Sequence, residues 1–298
     1  QNKEDLKDFY WRRAKRLLPL YYICVLISVV FFHKAASHPD FFKNISLLAT
    51  VTFNFTLTDY FPSANWVLWS LGIEIWFSII FPLIFILIRQ FGIHAMLFGT
   101  LILSLSVRIY GIDPAFDLPK SSIINPVKDS ILGRLDDFII GMYCCYLCYQ
   151  ARLEWLKQFW CYALFAAGLI LCFSGCVLWD LVQLKKIDYQ ITAYISILLN
   201  TGFCFITLSV FKTHRNFAMI IKAWPLRVMG MMCYSLYIWH GIMMIAIFAP
   251  RRWQFDFHGV AMYYIILFIL CALSYRYIEF GHVKNTRALF SLPSKQTP

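Results

Sequence analysis

The chain has 298 residues, 60% of them hydrophobic and 14% charged, with a mean hydropathy of +0.63. Soluble domains carry about 45–50% apolar and about 25% charged residues, so the composition excludes a soluble globular protein and points to a polytopic membrane protein. The net charge of +11 predicts no nucleic-acid partner, because the basic residues sit in short loops beside apolar runs, as the positive-inside rule expects.

The first segment, Gln1–Arg16, is charged and has no signal-peptide pattern. Arg13 and Arg16 stand three residues apart, which places both on one face of a helix. Two guanidinium forks at a membrane surface suit a polyphosphate, and equally an anchor to anionic lipid. Leu17–Phe32 follows as the first span. Ile45–Thr58 is apolar but short and rich in Thr and Asn, and predicts an interfacial or re-entrant piece.

The second span, Trp66–Ile88, is 23 residues long, and Glu74 is its one ionisable side chain. A carboxylate there costs roughly 2.5–3.5 kcal/mol on insertion scales and is a functional-site hypothesis by default. At about 1.5 Å per residue it lies about 12 Å below Trp66. It suits the support of a general base, a proton-coupling site, or a neutral hydrogen bond to a neighbouring helix.

The remaining spans are Ile93–Tyr110, Ile131–Tyr149, Phe159–Trp179, Ile191–Phe211, Val228–Ala249 and Val260–Ile278. Arg108 and Arg276 lie near helix ends, where long cations snorkel. Arg134 and Asp137, at the start of the fourth span, are spaced to neutralise each other or to bind a hydroxyl-rich acceptor. His240 falls near mid-membrane, as a packing residue or a functional one. The ten cysteines, including the C-x-x-C of Cys145 and Cys148, lie in or beside apolar runs and read as small buried residues. No metal site is expected, because no second pair or His spacing completes one. No P-loop, dinucleotide fingerprint or nucleophile elbow is present.

The chain therefore predicts an all-α polytopic membrane protein with about eight transmembrane helices. Residues 1–290 form one membrane-embedded domain, and 291–298 a disordered tail. With Gln1–Arg16 in the cytoplasm, 17 of the 27 Lys and Arg residues fall on the cytoplasmic side, and both ends are expected there.

In order and spacing these segments resemble the acyltransferase-3 family of integral membrane acyltransferases. Arg13, Arg16 and Pro19 match a basic R-x-x-R entering a Leu-Pro-Tyr helix. Trp69, Ser70, Leu71, Glu74, Phe77 and Pro82 match the W-S-L-x-x-E block. Arg134, Phe138 and Gly141 match an R…F…G segment, and Gly230, Tyr234, Ser235, Tyr237 and His240 match a late Tyr- and His-bearing block. Glu279 closes the last span where the family often has Glu-Pro.

The resemblance implies transfer of an acyl group, most often acetyl, from cytoplasmic acyl-coenzyme A as co-substrate. The acceptor would be a hydroxyl of a cell-surface polysaccharide or lipid-linked glycan, in a bacterial cytoplasmic membrane. It implies Glu74 as catalytic, Arg13 and Arg16 as donor-binding, and Trp69, Ser70, Arg134 and His240 as candidates to line the site. Family members begin with two further helices, which carry an Arg and a His regarded as the catalytic base. Nothing here corresponds to them, so the chain is expected to lack two of about ten helices. The alternatives are a proton-coupled transporter or glycan flippase protonated at Glu74, and a non-catalytic membrane subunit.

Overall fold

A computed structural model describes residues 3–32, 40–60, 62, 65–112, 125–149, 158–212, 223–251 and 254–279. Among them there is no strand. The helices are α1 (Lys3–Phe32), α2 (Phe41–Thr50), α3 (Leu68–Phe91), α4 (Ile93–Ile112), α5 (Leu135–Tyr149), α6 (Gln158–Gln183), α7 (Thr192–Lys212), α8 (Trp224–Met231), α9 (Cys233–Phe248) and α10 (Phe257–Ser274). A π-turn, Tyr275–Glu279, prolongs α10. Every expected span has a helix. Among the described residues five helical segments are long and apolar enough to cross a membrane, six if α8 and α9 form one span. The expected tail, 291–298, lies outside the described residues.

Two expectations change in detail. Val228–Ala249 is not one straight span: α8 and α9 meet at Met232 with a 72° bend. Met232 has φ −89° and ψ 9°, off helical values, and turns the chain although its N–H still bonds the Val228 carbonyl (3.0 Å) and its carbonyl the Leu236 N–H (2.8 Å). The basic segment before Leu17 is part of α1, a single helix of 30 residues, about 45 Å long. The short piece after it is helical as α2 but spans only about 15 Å, too little to cross. Gly92, at φ +84°, is the single residue between α3 and α4 and takes a conformation that side chains disfavour.

The chain divides into two compact units. The first comprises Gln1–Phe53, Phe61–Ile79 and Lys222–Pro298. Its core joins one face of α1 (Leu17, Leu20, Tyr21, Cys24) to one face of α9 (Ile238, Ile242), each spaced three or four residues apart. Leu26 and Val30, on the opposite face of α1, are 63% exposed, which costs nothing against lipid tails. Backbone carbonyls take the tyrosine hydroxyls: Tyr21 donates to Leu48 (2.7 Å), Tyr22 to Ala49 (2.9 Å) and Tyr234 to Leu17 (2.6 Å). A Cβ at Gly241 would collide with the Val67 side chain, so α9 passes this segment only as glycine.

The second unit comprises Asn54–Tyr60 and Ile80–Ile221. Its tightest packing is α6 on α7. A Cβ at Gly168 would lie 2.7 Å from the Gly202 carbonyl oxygen, and one at Gly202 2.9 Å from that of Gly168. Small residues let the two backbones meet, the usual device where lipid removes the hydrophobic drive between helices. Arg108 does not snorkel. It is buried, ion-paired with Asp136 on α5, and donates to the carbonyls of Ser104 and Ala193 (both 3.2 Å). A partner inside the bundle satisfies the guanidinium although the end of α4 is only about one turn away.

Candidate functional site

In the first unit, Tyr10 donates to the Ile79 carbonyl (2.9 Å) and lays the start of α1 along the middle of α3. One helical turn further along α1, Arg13 and Arg16 face the same helix. Both guanidinium groups act electrostatically on Glu74, which is half-buried on the second turn of α3. The arginines themselves are exposed. The sequence places this pair at the cytoplasmic surface and Glu74 deep in its span. The structure instead brings Arg13 and Arg16 within electrostatic influence of Glu74, because α1 continues as a helix past its charged end.

There is a second carboxylate. Glu279 is buried, and Arg16 also acts on it. Ser235, on α9, donates to its Oε1 in a short hydrogen bond. A relay stands behind that contact: Trp239 Nε1 donates to Ser274 Oγ (3.1 Å), which donates to Ser235 Oγ (3.0 Å). Oε2 of Glu279 is buried with no hydrogen-bond partner among the described residues. A π-turn widens the helix where it occurs and often marks functional sites, and this one carries Glu279. Both carboxylates act electrostatically on Tyr234, whose hydroxyl donates to the Leu17 carbonyl. Glu279 was legible only as the end of the last span. Arg16, between two carboxylates, is the feature that singles it out.

Val51, beside this region, has φ +57°, which for a β-branched residue is a genuine strain. Trp76 Nε1 donates to its carbonyl (2.6 Å), tying the end of α2 to the turn of α3 after Glu74.

Ser70 and His240 come together through Tyr237. The Tyr237 hydroxyl pairs with Ser70 Oγ in a short hydrogen bond and reaches the Val67 carbonyl (3.2 Å). His240 Nδ1 contacts the Tyr237 carbonyl at 2.5 Å, and Trp66 meets the imidazole edge-on at 6.1 Å. A carbonyl only accepts, so Nδ1 carries the proton in this contact. His240 thus stands level with the entry to α3, beside Trp66. Trp69 is half-buried on the first turn of α3.

Arg134 belongs to the second unit. It donates to Asp129 through Nε (3.0 Å) and Nη2 (2.5 Å), and through Nη1 to Ser196 (2.7 Å) and Asp137 (3.4 Å). Asn200 donates to the other Asp137 oxygen (2.6 Å). Asp129 also receives the Asn125 N–H (2.8 Å) and pairs with Lys128 (3.3 Å). Burial pushes the Lys128 ammonium below its usual range, and Asp129 offsets part of that. The donors of Arg134 are thus engaged in holding 125–137 together.

The family profile described as "Acyltransferase domain", of the acyltransferase-3 type, matches residues 1–277. A protein named putative acetyltransferase ORF330, from Acidianus two-tailed virus, is 27% identical over 113 residues. That match covers 34% of this chain and 32% of the viral protein. No solved structure matches.

Proposed function

The chain belongs to the acyltransferase-3 family, and on that premise we propose that it moves an acyl group, acetyl in the simplest case, from acyl-coenzyme A to a hydroxyl of a surface polysaccharide or lipid-linked glycan. The observation that carries this reading is the convergence of Arg13 and Arg16 on Glu74. The paired guanidinium forks take the donor's phosphates. Glu74 orients and supports the general base that takes the acceptor's proton. The acceptor oxygen bonds to the thioester carbonyl carbon, the carbon–sulfur bond breaks, and the proton passes to the departing thiolate. Because the phosphate-binding groups act electrostatically on the carboxylate, direct transfer fits better than a covalent relay. A proton-coupled carrier gives no reason to set two exposed arginines beside its protonation site. We place the protein in a bacterial cytoplasmic membrane with the donor on the cytoplasmic side.

The test is acyl transfer from labelled acetyl-coenzyme A to a lipid-linked glycan in proteoliposomes of the full-length protein. Glu74→Gln should lower kcat by at least about 100-fold at unchanged membrane abundance. Arg13→Ala with Arg16→Ala should raise the donor KM and leave the acceptor KM in place. Near-normal transfer by the first variant removes Glu74 from the mechanism. An unchanged donor KM in the second reduces the pair to a lipid anchor.

A further inference from the structure

A cleft of about 610 Å³ opens in the second unit at the end of α4 that carries Tyr110. Its walls are the segment Asn54–Leu57, the outer turns of α4 with Ser106 and Tyr110, and the loop from Pro126 to Leu132. Phe55 is 60% and Tyr110 52% exposed. We propose that this cleft is a binding site for an uncharged sugar ring, the acceptor glycan of the reaction proposed above.

Three observations carry this assignment. The lining joins aromatic rings to the hydroxyls of Thr56, Ser106, Tyr110 and Ser130, and it contains no Lys, Arg, Asp or Glu. Aromatic faces take the C–H face of a pyranose, and hydroxyls exchange hydrogen bonds with its rim. A phosphate or uronate would find no counter-charge. Ser130 Oγ already accepts the Gly133 N–H (3.2 Å), so its proton is available to a ligand oxygen.

Second, beyond the short 3-10 turn Phe53–Phe55, two of the three walls are turns and bends rather than α-helix. Such backbone does not stand exposed to hydrocarbon, so the cleft faces water at the helix ends rather than lipid tails.

Third, the walls are braced before any ligand arrives. Asn125 Nδ2 donates to the Gly111 carbonyl at the end of α4 (2.7 Å), and Tyr60 donates to the Asp129 carbonyl (2.5 Å). Arg134 fixes Asp129 from behind. Preorganised walls lower the cost of binding, and Arg134 is then a positioning residue of the loop, without contact to the sugar.

Binding is read by saturation-transfer NMR of cellobiose, with the full-length protein in nanodiscs and glucuronic acid as charged control. The wild type should transfer saturation to the cellobiose ring protons and less to glucuronate. Tyr110→Ala and Phe55→Ala should each weaken binding by about three- to tenfold, the size of one lost aromatic contact. Both side chains are exposed, so neither change should unfold the protein. Tyr110→Phe keeps the ring and should bind cellobiose nearly as the wild type does. In the transfer assay the alanine variants should raise the acceptor KM by the same factor, with the donor KM unchanged. Equal binding by wild type and alanine variants overturns the site, as does displacement of cellobiose by phospholipid. Sugar binding that depends on Tyr110 and Phe55, in a protein with no acyl transfer, sustains the cleft and sinks the acyltransferase chemistry instead.

Discussion

Asp136→Ala probes the most deeply buried charge pair among the described residues. Arg108 is 1% and Asp136 0% exposed. The guanidinium is satisfied from three helices: Asp136 on α5, the Ser104 carbonyl on α4 and the Ala193 carbonyl on α7. Removing the carboxylate leaves a buried cation with two neutral acceptors and no counter-charge, a loss of about 3–5 kcal/mol. Oδ1 of Asp136 has no hydrogen-bond partner among the described residues, so the pair is imperfectly satisfied there, and the lower end, about 3 kcal/mol, is expected. That is about a 100-fold shift in the folding equilibrium at 1.4 kcal/mol per decade. Arg108→Met with Asp136→Leu removes both charges and should regain most of that loss. Denaturant unfolding in a fixed detergent reads both variants. A single variant within about 1 kcal/mol of wild type, or a double variant as unstable as the single, refutes the pairing as the reason Arg108 is buried.

Glu279→Gln keeps the shape that receives the Ser235 hydroxyl but removes one of the two charges acting on Arg16. It should raise the donor KM severalfold while the unfolding midpoint moves little; a large stability loss with an unchanged KM would make Glu279 a purely structural residue. Gly168→Leu should separate α6 from α7, since even a Cβ there meets the Gly202 carbonyl at 2.7 Å. A loss of about 1–3 kcal/mol or more is expected, read by the same unfolding assay. Wild-type stability in that variant would show that the helices do not rely on this contact.

Much of the fold was legible because lipid imposes a length and a composition on any helix that crosses it. Every expected span has its helix, and the short apolar piece after the first span does not cross. The breaks were harder to read. Met232 carries no Pro or Gly signal, so the 72° bend between α8 and α9 arises from packing that no local pattern encodes. Arg108 misled for a similar reason: nearness to a helix end suggested snorkelling, while its partner stands 28 residues on, in another helix.

The site divides along the same line. The sequence by itself determined that Glu74 is a costly carboxylate in an apolar run, and that Arg13 and Arg16 share a helix face. Both follow from local periodicity and from the expense of charge in hydrocarbon. Only the tertiary structure decided that both arginines act on Glu74, that Arg16 acts on Glu279 as well, and that Arg134 spends its donors on bracing a loop. Those are relations between helices far apart in the chain. Charges buried from water must find one another across such distances, and the pattern along a single helix carries no record of the partner.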